Sequence, residues 1–138
     1  MAILIPDSCP SKATVGEKHV YALLRDLLPD HFTAWYEPRV GGRYPEFTVL
    51  AADFGLLMLE VKGWYIGQIA RADEDRVELH RTEAGQFLVE HHAHPNRQVR
   101  EYLFALLDEL SRPDFAILRQ TAGEHRGRPC FPAATTCS

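Results

Sequence analysis

The chain has 138 residues, of which 46% are hydrophobic and 25% are charged, which is the composition of one soluble domain with a packed core. It contains no apolar run near the ~18 residues of a membrane span. A net charge of −4 and a pI near 5.9 argue against a high-affinity, non-specific nucleic-acid binder, because phosphate contacts need a basic surface. A nuclease stays open, since metal-binding carboxylates lower the net charge and the bound cations restore attraction locally.

Residues 1–13 are predicted to be a loosely ordered lead-in, without the basic region of a secretory signal. The three cysteines, Cys9, Cys130 and Cys137, include no CxxC pair, which argues against a disulfide framework or a zinc ribbon. We therefore expect a cytoplasmic protein that does not associate with a membrane.

A helix is predicted to begin after Thr14, because Glu17 follows three residues later as in a capping box. The helix ends at Pro29. Its apolar positions at helical spacing are Val20, Leu23, Leu24, Leu27 and Leu28. Residues 32–36 are predicted to form a strand, and residues 38–42 a turn.

Residues 44–50 and 56–61 are predicted to form a β-hairpin with its turn at 52–54, where Gly55 suits a left-handed conformation. A three-residue loop would place Glu46 opposite Glu60. The second strand is almost continuously apolar, so we expect it at the centre of the sheet, covered on both faces. Glu60 and Lys62 alternate with Val61 and therefore share one side of the strand. Two acids and an amine at one strand end suit divalent-metal binding next to a phosphate.

The rest of the chain is predicted to form short strands at 64–70, 77–81 and 87–90, with turns at 73–75 and 83–85, and then a helix at 97–110. The apolar positions of that helix include Val99, Leu103, Leu106, Leu107 and Leu110. A further strand is predicted at 115–118 and an irregular tail at 119–138. The predicted fold is mixed α/β (α+β), a central mixed sheet flanked by helices, in one domain at 14–118.

The order of motifs Gly16-Glu17, Pro45-Glu46-Phe47, Glu60-Val61-Lys62-Gly63-Trp64 and Asn96-Arg97-Gln98 resembles the nuclease-related domain (NERD), a branch of the PD-(D/E)xK superfamily. The resemblance covers roughly residues 14–110. It implies a restriction-endonuclease-like fold and a site formed by Glu17, Glu46, Glu60, Lys62 and Gln98. Glu46 stands where the family commonly has Asp, so it reaches one methylene further.

The resemblance implies a Mg²⁺-dependent phosphodiesterase, with Mn²⁺ as a substitute, whose metal ligands are Glu46, Glu60 and the carbonyl of Val61. Lys62 could orient the attacking water, help to deprotonate it or stabilise phosphate charge; the adjacent carboxylates favour the last role. Glu17 would act through water or a second metal, and Gln98 by hydrogen bonding.

Each of these residues also has a purely structural interpretation. Glu17 could be only a capping-box residue, Glu46 a surface charge, Glu60 and Lys62 an ion pair, and Gln98 a solvated residue. Arg97, Arg100 and Trp64 are candidate nucleic-acid contacts, although a solvated helix face and a core aromatic are the commoner roles. A zinc site at His91, His92 and His94 is disfavoured because no second ligand motif accompanies them.

The favoured function is an endo- or exonuclease that hydrolyses phosphodiester bonds in DNA, with RNA as an alternative, in DNA processing or repair. The main alternative is a catalytically inactive nucleic-acid-binding or docking module on the same fold. A glycosidase is disfavoured, because such enzymes rarely place Lys two residues after the acid in so small a domain. A second copy of the chain and a helicase-type protein are the expected partners besides nucleic acid.

Overall fold

The computed structural model describes residues 1–114 and 124, together with the backbone of residues 133–137. Within these residues the protein is mixed α/β, with two α-helices and two separate β-sheets. In chain order the elements are β1 (Ile3–Ile5), α1 (Val15–Leu27), β2 (Thr33–Tyr36), β3 (Phe47–Ala51), β4 (Gly55–Glu60), a 3₁₀ turn (Ile66–Gln68), β5 (Ile69–Ala72), β6 (Arg76–Glu83), β7 (Gln86–Ala93), α2 (Pro95–Leu110) and β8 (Ala133–Cys137).

The larger sheet has the strand order β1-β2-β3-β4-β8 and is mixed, as predicted. Its antiparallel centre is β2-β3-β4, while β1 pairs in parallel with β2 and β8 in parallel with β4. The apolar strand β4 has a neighbour on each side and is buried along most of its length. Among the described strands the middle position belongs to β3, because β1 and β8 extend the sheet at both ends.

Both ends of the chain differ from the sequence prediction. The loosely ordered lead-in is wrong over Ile3–Ile5, where β1 pairs with β2 and Leu4 enters the core. The irregular tail is wrong over Ala133–Cys137, which pairs with β4. These short segments carry little periodicity of their own. Each is held in an extended conformation by pairing with a strand of the larger sheet. The predicted strand at 115–118 lies outside the described residues.

Helix α1 covers one face of the larger sheet. The predicted capping box is present, since the amide of Glu17 donates to Thr14 Oγ1 and the amide of Thr14 donates to Glu17 Oε2. Tyr21 is 2% exposed and packs in a core with Ala34, Phe47 and other sheet residues. The helical spacing of the leucines does not place all of them in the core, since Leu23 and Leu27 are exposed and Tyr21 takes a buried position.

Helix α2 lies against β4 and β8. It begins at Pro95, two residues earlier than predicted, because proline suits the first helical turn and His94 Nδ1 accepts a hydrogen bond from the amide of Asn96. Val99 is fully buried, and the helix ends at Leu110, shortly before Pro113.

The predicted meander forms a second, three-stranded antiparallel sheet, β5-β6-β7. Its first strand starts at Ile69, so the prediction of a strand from Trp64 is wrong; residues 64–68 form an irregular segment and the 3₁₀ turn. Val77 and Leu79 are its buried hydrophobic residues. Neither α-helix combines the length and the apolarity that crossing a membrane would require, as judged over the described part of the chain.

Candidate active site

The hairpin of β3 and β4 brings Glu46 and Glu60 together at one end of the larger sheet. Its register runs from Ala51 opposite Gly55 to Phe47 opposite Leu59, so that the next pair is Glu46 and Glu60. The three-residue turn is the predicted one, and Gly55 has the expected positive φ of 98°. Glu46 lies one residue before β3, so its position opposite Glu60 follows from extending this register, and the negative charge of Glu60 acts on the Glu46 carboxyl.

Glu60 and Lys62 form an ion pair that is largely withdrawn from solvent. Lys62 Nζ lies 2.5 Å from Glu60 Oε1, and the exposed fractions of the two side chains are 24% and 1%. Lys62 Nζ also donates to Gln98 Oε1 at 3.3 Å, and Gln98 Nε2 lies 2.7 Å from the hydroxyl of Tyr102. A chain of polar contacts thus runs from β4 to the first two turns of α2.

The second carboxylate oxygen of Glu60 has no hydrogen-bond partner among the residues that the structure describes. Glu60 Oε2 is buried there without a hydrogen bond, although its neighbour Oε1 is paired with Lys62. A buried carboxylate oxygen left unpaired costs about 1–3 kcal/mol or more. Such an atom in an otherwise satisfied polar cluster is a candidate ligand for a cation.

Glu46 is partly buried and is held by the backbone of the neighbouring strand. The amide of Val61 donates to Glu46 Oε2. The pKa of Glu46 is raised to about 7, chiefly by burial and also by the negative charges of Glu60 and Glu17, against the opposing effects of the Val61 amide and Lys62. Val61 thus enters the site through its amide N–H, and the predicted role of its carbonyl oxygen stays a prediction.

Glu17 stands beside this cluster with its carboxylate already engaged. Glu17 Oε2 accepts hydrogen bonds from the Thr14 amide at 2.8 Å and from the Tyr36 hydroxyl at 3.0 Å. Burial and then this hydrogen bond raise the pKa of Tyr36, so the hydroxyl remains a donor. The first turn of α1 packs closely against Val61, because a Cβ added to Gly16 would lie 3.2 Å from Val61 Cγ1.

The acidic side chains do not form a larger metal cluster. Over residues 1–114 and 124, no group of three or more His, Cys, Asp or Glu side chains is arranged to hold one metal ion. Glu46 and Glu60 therefore remain the candidate carboxylate ligands. Backbone oxygen, water and phosphate would have to complete the coordination shell of a hard cation.

The candidate nucleic-acid contacts lie outside this cluster. Arg97 is exposed and forms long ion pairs with Asp75 (3.7 Å) and Glu101 (3.9 Å), while Arg100 is exposed on the same helix. Trp64 is partly buried against the ring of His92, with 5.2 Å between ring centroids. Trp64 therefore packs against the smaller sheet and not in the core of the larger one.

The three histidines before α2 point to different partners. His91 lies 3.6 Å from Glu78, whereas His92 lies 3.2 Å from Glu90 on the opposite face of β7. His94 caps α2. The disfavoured zinc interpretation has no support in this arrangement.

Sequence reasoning missed Tyr102 and Tyr36, the two hydroxyl groups that hold Gln98 and Glu17. Tyr102 follows Gln98 by four residues, a spacing that puts both on one helix face and could have indicated the contact. Tyr36 meets Glu17 only through the packing of α1 on β2, and no local signal marks it. Comparisons with models of protein families, with curated proteins and with solved structures found no match.

Proposed function

We propose that this protein is a metal-dependent phosphodiesterase of the nuclease-related type, with a restriction-endonuclease-like fold, acting on DNA in preference to RNA. The observation that carries the proposal is the unpaired, buried oxygen of Glu60, next to Glu46 and within a cluster that includes Lys62. Carboxylates, an amine and an amide at one strand end suit the hydrolysis of a charged phosphodiester.

Two oxygens are suited to hold a hard divalent cation, Mg²⁺ or Mn²⁺ as a substitute. They are Glu60 Oε2, which has no partner in the described part of the chain, and Glu46 Oε1, since Oε2 of that residue accepts from Val61. The donor set fits such an ion, because all of its atoms are oxygens. When bound, the cation neutralises phosphate charge and makes a coordinated water more acidic.

Lys62 supplies positive charge beside the phosphate. Its ammonium has three donors and uses two of them, on Glu60 and Gln98, which leaves one for a phosphate oxygen or the attacking water. Gln98 positions the ammonium through its Oε1, and Tyr102 holds the amide of Gln98 in that orientation. Charge stabilisation by a preorganised lysine is the role that this arrangement favours.

A plasmid-nicking assay tests the proposal with the purified chain in Mg²⁺, Mn²⁺ or EDTA. We expect metal-dependent nicking that falls at least about 100-fold in Glu60→Gln and in Lys62→Met, the scale for losing one group that stabilises transition-state charge. Lys62→Met leaves Glu60 as an uncompensated buried charge, which costs about 3–5 kcal/mol of stability. The double variant Glu60→Gln/Lys62→Met removes that charge and should fold more stably than Lys62→Met while remaining inactive.

The matched controls remove a carboxylate and an ammonium group at exposed positions outside the candidate active site. Glu83→Gln and Lys18→Met change one exposed carboxylate and one exposed ammonium, and both should nick at the wild-type rate. Nicking that persists in folded Glu60→Gln, or that persists in EDTA, would not come from the proposed metal site and would contradict the proposal.

The alternative, a binding module without catalysis, is favoured by one observation: Lys62 is already neutralised by Glu60 at 2.5 Å. DNA binding that survives both substitutions without cleavage would support this alternative. The proposal further includes a cytoplasmic location, consistent with three cysteines and no CxxC pair, and a second copy of the chain or a helicase-type protein as a partner.

A further inference from the structure

A polar cavity lies directly after Lys62 in the chain. The cavity has a volume of about 370 Å³ and lies between the segment that follows β4 and the sheet β5-β6-β7. Its lining includes Gly63, Trp64, Gln68, Arg81, Glu90 and His92, and we call it the Trp64 pocket. A volume of this size is within the range of small-ligand sites.

The Trp64 pocket is close enough to the candidate active site to be occupied by the same ligand. Two peptide units separate Lys62 from Trp64, so their Cα atoms are at most about 7 Å apart. A phosphate held at Lys62 therefore has its own nucleoside, or the adjacent one, within reach of the pocket. At Gly63, between the two residues, no other atom lies within 4 Å of the position that a Cβ would take.

Trp64 offers an aromatic surface to this space. One side of its ring meets His92 at a tilt of 48°, and the side chain remains partly exposed in the pocket wall. Tyr65, the next residue, is 76% exposed. Stacking on an aromatic ring is the usual way in which proteins hold an unpaired base, and it is tolerant of sequence.

The polar groups of the pocket offer donors more than acceptors. Both oxygens of Glu90 are occupied, one by Arg81 at 3.1 Å and the other by His92 at 3.2 Å. Arg81 keeps further N–H groups, because Glu90 takes one of the five donors of its guanidinium. Gln68 Oε1 accepts from the Tyr65 amide at 3.1 Å, which leaves its NH₂ group to donate. Carbonyl and ring-nitrogen acceptors on base edges complement such donors.

We infer that the Trp64 pocket is a subsite for one unpaired base, and that the substrate is therefore a single-stranded or locally unpaired nucleic acid. This inference rests on the proposed function, because the phosphate at Lys62 is what brings the base to Trp64. A base within a duplex has both faces stacked and cannot reach the ring without being extruded.

Fluorescence titration tests the subsite without any need for cleavage. The chain has two tryptophans, so Trp35→Phe leaves Trp64 as the single reporter. This variant is titrated at fixed low salt in Ca²⁺, a hard cation that takes the same kind of oxygen ligands as Mg²⁺, with a 12-nucleotide oligothymidylate and with a blunt 12-base-pair duplex. We expect the single strand to quench the fluorescence and to bind about tenfold or more tightly than the duplex. Fluorescence that does not change with the single strand, or equal affinity for the two probes, would overturn the inference.

Substitutions at Trp64 separate stacking from folding. In the native background, Trp64→Leu should weaken oligothymidylate binding about tenfold, whereas Trp64→Phe should retain most of it because phenylalanine also stacks. Phe104→Leu is the matched control, since Phe104 is 56% exposed on α2 and does not line the Trp64 pocket, and it should bind as the wild type does. Wild-type affinity in Trp64→Leu would contradict the inference.

The two proposals fail in different experiments. Metal-dependent nicking by the wild type, combined with unchanged oligothymidylate affinity in Trp64→Leu, would reject the base subsite alone. Quenching of Trp64 by the single strand without any nicking would reject the phosphodiesterase and keep the base subsite.

Discussion

Burial gives Glu46 a different acid–base behaviour from an ordinary surface glutamate. Loss of solvent is the main reason why the pKa of Glu46 is raised to about 7; the carboxylates of Glu60 and Glu17 act in the same direction, and the Val61 amide and Lys62 act against it. A raised pKa means that folding favours the protonated form. The stability from this group is therefore complete below the unfolded pKa of about 4.5 and is lost as the pH rises through about 7.

Glu46→Gln tests this behaviour, because glutamine keeps the acceptor for the Val61 amide and carries no proton to lose. The free energy of unfolding of the wild type, measured by urea in EDTA, should fall relative to Glu46→Gln between about pH 4.5 and pH 7, by up to about 3 kcal/mol. Added Mg²⁺ should reduce the fall, because a cation stabilises the ionised carboxylate. A constant difference between the two proteins across this range would contradict the account.

At the level of single residues, the sequence predicted which side chains lie close together when they are on one strand, one hairpin or one helix. Glu60 and Lys62 share a side because strand residues alternate, and Glu46 faces Glu60 because a three-residue turn sets the register. The burial of Glu60 Oε2 without a hydrogen bond among the described residues, and the contact from Tyr36 to Glu17, depend on packing between distant elements. Periodicity carries no information on such contacts.

The hairpin of β3 and β4 is the element on which the site depends. Its register is set at Gly55, whose φ of 98° is unfavourable for any residue with a Cβ. A slip of one residue would turn Glu60 to the other face of the sheet. The glycine therefore acts on the site although it lies at the far end of the strand.

Gly55→Ala should lower the free energy of unfolding by about 1–2 kcal/mol, the cost of a left-handed conformation in an L-residue. Gly67→Ala is the control, because Gly67 has open space at the Cβ position and no positive φ, and it should change stability by less than about 0.5 kcal/mol. Equal effects of the two substitutions in urea unfolding would show that the turn does not hold the register.

Elements with strong periodicity were predicted well, and short strands were not. Both helices and the hairpin lie close to their predicted positions, because each combines a cap or turn signal with a regular apolar pattern. The strands β1 and β8 have three and five residues, and their pairing partners are on distant segments. The sheet order could not be predicted without them.

At the scale of the whole molecule, the cluster of Glu46, Glu60 and Lys62 at one end of the larger sheet lies near the smaller, more exposed sheet. Glu60 ends β4, Glu46 precedes β3 and Lys62 follows β4, and the segment after Lys62 reaches the smaller sheet at Trp64. The net charge of −4 is compatible with the proposed function, because a bound cation would supply local attraction for a polyanion. Binding to nucleic acid should accordingly respond to divalent cations more than to the overall charge of the chain.

A crystal of the protein grown with Mn²⁺ tests the central claim most directly, because the anomalous signal of manganese locates the ion independently of activity. The account predicts one ion bound by Glu60 Oε2 and a carboxylate oxygen of Glu46, and none at that place in a Glu60→Gln crystal. Manganese density absent from this pair of glutamates at millimolar Mn²⁺, or found only at other surface carboxylates, would contradict it.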